Sequence, residues 1–268
     1  MAIITISRGS RSRGAEVARL VAERLGYRCV AREVLLEASE HFNAPEFQLV
    51  RAIHDSPSLL ERFSHGKEKY LSYIRASLLN TLKEDDVVYH GLGGHFYVSG
   101  VSHVLKVRIQ AEWEDRVQVV MERDGVARAA AEATLKKDDA ERVKWAQHVH
   151  GVDPCNPALY DLIVHVHKLT TKDAADLICR CASLPQLQAT PTSRQRIADL
   201  ALAAEVQAML YDIRRDLDVT ASAGVVTVTV RAPLMQMDTV SRQIESTARS
   251  VAGVDQVVLV PEFVTTLD

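Results

Sequence analysis

The stretch Ala2-Ile-Ile-Thr-Ile-Ser-Arg8, Gly9-Ser-Arg-Ser-Arg-Gly14, Ala15-Glu-Val-Ala-Arg-Leu-Val-Ala-Glu-Arg-Leu-Gly26 decides the fold class. Ala2 to Ile6 is a continuous apolar, β-branched run, the pattern of a strand buried on both faces. Ala15 to Leu25 repeats apolar residues at helical spacing, and Gly26 is a natural C-terminal stop. Between them Ser7 to Gly14 forms a polar loop with Gly9, Gly14 and the arginines Arg8, Arg11 and Arg13. Strand, basic loop and helix in this order aim backbone N–H groups and the positive end of a helix at an anion.

Gly9 and Gly14 reproduce the glycine spacing of the phosphate loop G-x-x-x-x-G-K-[ST], in which the lysine neutralises the β- and γ-phosphates and the hydroxyl holds Mg²⁺. Here Ala15 and Glu16 follow instead. Arg8, Arg11 and Arg13 offer replacement charge, since guanidinium grips phosphate oxygens in pairs. Glu16 either sets a negative charge beside the phosphates or holds a metal. Two readings stand. One is a phosphate cradle made of Arg8, Gly9, Ser10, Arg11, Ser12, Arg13, Gly14, Ala15 and Glu16. The other is a plain basic turn whose arginines are solvated.

Outward from this opening, strands alternate with helices. Residues 34–82 read as mainly helical, with breaks near Pro45 and Pro57. Val87-Val-Tyr89, Val104 to Ile109 and Leu162 to Val166 read as buried strands; Glu112 to Arg123, Ala127 to Ala146 and Thr171 to Ala182 read as helices. Alternation of this kind predicts an α/β domain: a mostly parallel sheet with helices on both faces. Leu184 to Arg194, with Pro185 and Pro191, reads as an extended linker. Beyond it the pattern changes to an amphipathic helix from Arg196 to Asp216, a hairpin around Ala223-Gly224, a helix from Thr239 to Ser250 and a strand from Val254 to Val260. That is a small α+β unit of order α-β-β-α-β, giving domains at 1–183 and 195–268 joined by 184–194.

Several short stretches, in order, resemble the cytidylate-kinase-like family. Ile4-Thr-Ile-Ser-Arg8, Ser12-x-Gly14-x-Glu16-Val-Ala18, Leu25-Gly-Tyr27 and Arg32-Glu33 look like its opening I-S-R-x-x-G-S-G-G-x-x-I-A, L-G-Y and D-R-E. Val88-Tyr-His-Gly91, Val107-Arg-Ile-Gln-Ala111 with Asp115-Arg116, Asp138-Asp-Ala-Glu-Arg142 and Tyr160-Asp-Leu162 continue the likeness to about residue 182. The resemblance implies a P-loop kinase fold that uses Mg²⁺ and ATP to phosphorylate a nucleoside monophosphate, CMP or dCMP first. It places Ser12, Arg13 and Gly14 under the ATP phosphates, Arg32 and Gly91 at the acceptor, and Arg142 on a closing lid; Arg13 and Arg142 are then the catalytic cations. Two loop glycines of the family are Arg11 and Arg13 here, and its G-R step is Gly91-Leu92. These departures leave an alternative: a kinase-like sensor that binds a nucleotide or other anion without transferring phosphate. The second unit resembles the BON domain through Val206 to Leu210, Val219-Thr220, Gly224 to Val230 and Val251-x-Gly253-Val254-x-x-Val257. That likeness implies binding of a phospholipid or small ligand, or self-association into a homo-oligomer.

Composition narrows the function classes. The 268 residues carry a formal net charge of -3, which argues against a general electrostatic grip on nucleic acid. No stretch has the run of about 18 apolar residues that a membrane span needs, and the basic loop follows rather than precedes the first apolar run; a cytoplasmic location is the expectation. Cys29, Cys155, Cys179 and Cys181 form no CxxC pair and read as reduced thiols. His165-x-His167 sets two rings on one face of a strand, a spacing open to a metal pair or to exposed histidines; no third ligand is evident and no metal is assigned. Trp145 and Tyr160 flank the lid as packing or stacking residues, and Asp138 and Asp139 read as solvated or capping residues of its helix.

Overall fold

The computed structural model describes residues 2–54, 64–91, 93–232 and 234–263. Pro57 and Leu92, on which two of the expectations above rest, lie outside the described residues. The chain divides into two compact units. One comprises residues 1–33, 53–64 and 84–190; the other comprises 34–52, 65–83 and 191–268.

The first unit is a parallel sheet. Its strands are β1 (Ile3–Arg8), β2 (Arg28–Val30), β3 (Val87–His90), β4 (Val104–Ala111) and β5 (Leu162–Val166), in the order β2-β3-β1-β4-β5. All pairings are parallel; Ile4 lies opposite Val88 on one side and Leu105 on the other. β1 is central, and Ile3, Ile4 and Ile6 are buried, as an apolar run covered on both faces requires. β2 is a three-residue edge strand with one buried residue, too short to announce itself as a periodic pattern. Helices α1 (Gly14–Leu25) and α8 (Thr171–Ala182) supply Val17, Ala18, Val21, Ala174, Ala175 and Ile178 to the core with β1 and β4. α6 (Trp113–Asp124) and α7 (Arg128–His150) pack together through Val117, Val120, Ala131 and Leu135. The order of strands makes the chain leave β1 to one side and return on the other. The crevice at the carboxyl end of β1 is therefore the place where such sheets bind ligands.

The second unit holds α2 (Glu33–His41), α3 (Glu46–His54) and α4 (Ser64–Leu82) together with α9 (Pro191–Leu210), β6 (Asp218–Ser222), β7 (Val225–Ala232), α10 (Leu234–Arg249) and β8 (Gln256–Phe263). α5 (Gly94–Tyr97), a short helix after β3, belongs to the first unit. β6 and β7 form the antiparallel hairpin turned at Ala223-Gly224, both at positive φ, and β8 joins β7 in parallel. Val226, Val228 and Val230 are buried while Val225, Thr227 and Thr229 are not, so the period-2 pattern of the sequence is the pattern of the sheet.

Several boundaries differ from the sequence reading: the helix read from Arg196 to Asp216 ends at Leu210, the next begins at Leu234, and the last strand runs Gln256–Phe263. The stretch read as an extended linker holds a 3-10 turn at Pro185–Leu187, and α9 begins at Pro191. Both prolines occupy first-turn positions, where the missing N–H is harmless and the fixed φ suits a helix. α9 is also not simply amphipathic. Ala203, Val206 and Leu210 enter the core against β6 and β7, and Ile197, Ala201, Ala204 and Ala208 are buried as well. Glu205 and Asp212 share a helical face with Ala201 and Ala208 by spacing. On that side Asn80 donates to Glu205 and Lys69 to Asp212, while Arg75 donates to Gln207 elsewhere on the helix. His41 Nε2 lies 2.5 Å from Glu205 as well.

Candidate active site

The site is built on the loop between β1 and α1. Arg11 and Arg13 sit at φ 57° and 60°, the left-handed region that side chains other than glycine seldom adopt. The loop thus keeps a glycine-like backbone after two glycines of the family's pattern have been replaced. Gly14 stays glycine for a different reason: a Cβ there would lie 2.8 Å from Arg8 Cβ. Ser12 is fully buried, and its N–H and hydroxyl both donate to Gly9 O, at 3.3 and 3.0 Å.

α7 and α6 supply what the loop lacks. Asp139 Oδ1 accepts the Ser10 N–H at 3.2 Å, and Asp139 Oδ2 accepts from Arg116 at 2.6 Å. Arg116 Nε also donates to Ser10 O at 2.7 Å. Arg142 Nε donates to Ser10 Oγ at 3.0 Å. A carboxylate is therefore seated on a loop amide and clamped by a guanidinium, an arrangement any anionic oxygen of similar size satisfies. Burial holds the Arg142 guanidinium below its ordinary range; Asp139 and Asp138 oppose the shift, and Arg11 and Arg116 add to it. Burial, then Arg142, then Arg11 lower Arg8 in the same way. Arg8, Arg11, Arg116 and Arg142 thus form a cluster of like charges, stabilised whenever an anion enters it.

Asp139 was expected to solvate or cap its helix. The fold instead sets it on the loop, because one turn of α7 separates it from Arg142 and both project to the same side. Arg142 also donates through Nη1 to Arg8 O at 3.4 Å. Arg13 is exposed, and so is Arg32, which does not line the cleft. Gly91 lines it, while Leu92 lies outside the described residues. Ala15 is on the first turn of α1, and Glu16 Oε1 there accepts from Thr171 Oγ1 at 2.7 Å, so its carboxylate is engaged with α8.

The cleft beside the loop has a volume of about 260 Å³. Its far wall holds Trp145, which the sequence offered as a packing or stacking residue of the lid, and His95, Phe96, Arg108 and Cys155, which the sequence reading did not place in the site. Arg108 Nη1 donates to Pro154 O at 2.6 Å and to Tyr160 Oη at 3.1 Å, and the Tyr160 hydroxyl donates to the same carbonyl at 2.7 Å. Trp145 is buried, and its ring lies against Gly93, where φ is 77° and a Cβ would come within 2.9 Å of the indole. His165 and His167 sit outside this site and pair with Glu112 and Asp115, at 3.7 and 2.9 Å. Among the described residues no group of three His, Cys, Asp or Glu side chains is placed to hold a metal ion.

The residues present fit the phosphates of a nucleotide, because amide and guanidinium donors already hold an anionic oxygen there. They do not fit a Mg²⁺ ion held by the loop. Ser12 Oγ is committed to Gly9 O, Ser10 Oγ faces the Arg142 cation, Ala15 has no hydroxyl and Glu16 is turned to Thr171.

A parallel sheet of this strand order, with a glycine-spaced basic loop after its central strand, defines a kinase-like nucleotide-binding domain. The sequence profile of the Cytidylate kinase-like family matches residues 3–168, and the chain belongs to that family. A cytidylate kinase from Methanopyrus kandleri is 25% identical over 196 residues, covering 69% of this chain and 95% of that protein. A solved structure of an uncharacterized protein from Eubacterium ventriosum has a similar fold, with TM-score 0.50, 19% identity, and coverage of 68% of this chain and 98% of that one. A shikimate kinase from Acinetobacter baumannii, solved in complex with shikimate, aligns at TM-score 0.38 and 15% identity over 68% of this chain and 92% of its own. Among the described residues no helix is long and apolar enough to cross a membrane.

Proposed function

We propose that the cleft between Gly9–Gly14 and the Asp139–Trp145 face of α7 binds the phosphates of a nucleotide. The reaction proposed for it is phosphoryl transfer from ATP to a nucleoside monophosphate, pyrimidine monophosphates first. The observation that carries this reading is the Asp139 carboxylate held by the Ser10 N–H and Arg116. Phosphoryl transfer asks little covalent chemistry of a protein and depends on positioning and charge neutralisation. Arg142 from α7 and Arg116 from α6 would bear on the equatorial oxygens, with the loop amides beneath, and Arg8 and Arg11 would add to the field. Arginine charge then stands in for the missing lysine. Mg²⁺, where present, would enter with the nucleotide. The helices and sheet of residues 191–263 are proposed as a BON-like ligand-binding or self-association module.

The second reading, an anion sensor without transfer, is favoured by one feature: the loop offers no ligand for a divalent cation. Calorimetric titration of ATP, with Mg²⁺ or with EDTA and with or without CMP, separates the two. The enzyme reading expects ATP binding that survives EDTA within about threefold, strengthens with CMP, and gives ADP on turnover. Binding without turnover supports the sensor; no heat under any condition overturns both.

A further inference from the structure

We infer that His95 determines which acceptor enters the cleft, by hydrogen-bonding the edge of a planar heterocyclic ring held between aromatic walls. The inference rests on the phosphate-binding reading of the same cleft and adds the chemistry of its other end.

Three observations converge. First, His95 is 6% exposed and lines the cleft, yet its Nε2 has no hydrogen-bond partner among the described residues. A buried polar atom left unpaired weakens a fold, and in a cleft it marks where a ligand atom is due. Second, Arg108, 9% exposed, lines the same wall and leaves its Nε without a partner, although its terminal nitrogens are engaged by Pro154 O, Tyr160 and Cys155. Arg108 Nε is a donor of fixed sense and the imidazole nitrogen takes either sense, so an uncharged ring with polar edge atoms supplies the partner that either one lacks. Third, the setting is aromatic. The His95 ring centroid lies 3.9 Å from Phe96 and 4.9 Å from Tyr160, and Phe96 and Trp145 also line the cleft or its edge.

Charge points the same way. Burial, then the His150, Arg108 and Lys106 charges, push the His95 imidazole down to about 3, so it is neutral at physiological pH. A neutral imidazole suits an uncharged ring, whereas the acceptor's phosphate belongs at the arginine end of the cleft.

The test compares a panel of nucleoside monophosphates (CMP, UMP, AMP, GMP) with ribose 5-phosphate, which has the sugar and phosphate but no ring. Pyrophosphate serves as a probe of the loop alone. Affinities are measured for the wild-type chain, His95→Phe and His95→Gln. The wild type is expected to bind at least one monophosphate tenfold or more tighter than ribose 5-phosphate. His95→Phe keeps an aromatic ring but removes the nitrogens. It should bring that ratio to about one, leave pyrophosphate affinity unchanged, and leave the Tm unchanged or higher, since an unpaired polar atom is lost. His95→Gln, which keeps a polar end, should change the order of preference among the four bases. A wild-type ratio near one, or a ratio that survives His95→Phe, overturns the inference while leaving the loop reading intact. Failure of pyrophosphate to bind contradicts the loop reading instead.

Discussion

Arg13 is an exposed residue at φ 60°, a conformation that costs a non-glycine residue about 1–2 kcal/mol, against roughly 0.5–1 kcal/mol for the extra freedom glycine brings to the unfolded chain. Arg13→Gly is therefore expected to stabilise the protein by about 0.5–1 kcal/mol, read as a rise in the urea midpoint at unchanged slope. A fall would mean that the Arg13 side chain makes a contact worth more than the strain. His90 and His95 bear on pH. Burial first, with nearby positive charge from Arg8 and from His150 and Arg108 respectively, lowers them to about 4 and about 3. Both values lie below the unfolded value near 6.5. The unfolded chain thus binds more protons between these limits, and stability rises with pH there. The contribution is complete above about pH 6.5 and is lost as pH falls toward 4 and then 3. Thermal melts from pH 7 to pH 4 should show Tm falling with acid, and His95→Phe should flatten the slope; equal slopes for both proteins would contradict the assignment. None of this is visible in residue order, because a left-handed φ and a buried imidazole are properties of the folded neighbourhood. The glycine spacing of Gly9 and Gly14 was legible; the reason Gly14 must be glycine, the close approach of Arg8, was not.

At the scale of elements, β1, α1, β4, β5 and α8 announced themselves, because each is a run with one clear period or a continuous apolar core. α8 also carries a reciprocal cap. Thr170 Oγ1 accepts the Asp173 N–H, and Asp173 accepts the Thr170 N–H at 2.8 Å. Thr170→Ala should cost about 1 kcal/mol in chemical denaturation, with nucleotide affinity unchanged. Gly93→Ala should do more. It places a Cβ against the Trp145 ring at a positive φ, so about 2 kcal/mol of stability and much of the ligand affinity should go together. Stability lost with affinity intact would detach Trp145 from the site. α9 reads in sequence as an amphipathic helix with one apolar face, yet two of its faces are buried. Its second buried face carries the bonds of Asn80 to Glu205 and Lys69 to Asp212.

Across the whole molecule, the sequence displayed the parallel sheet and the small α-β-β-α-β segment, but not the grouping of residues 34–52 and 65–83 with 191–268. That grouping rests on contacts between residues far apart in the chain, such as Lys69 with Asp212, 143 residues apart. The site has the same character. The loop is local and was readable. Its counter-residues are remote: Asp139 lies 129 positions from Ser10, and Arg116 lies 106 from it. A signal for them existed in the Asp138-Asp-Ala-Glu-Arg142 run, since Asp139 and Arg142 stand three apart on a helix and so share a side. The central claim is that Asp139 occupies the place of a phosphate, and the most direct test is to titrate pyrophosphate into the wild-type chain and Asp139→Asn. Removing the internal competitor while keeping its shape should tighten pyrophosphate at least fivefold, and more so at low ionic strength. Equal or weaker binding by Asp139→Asn would mean that the carboxylate supports the loop instead of holding a ligand's place, and would contradict the account.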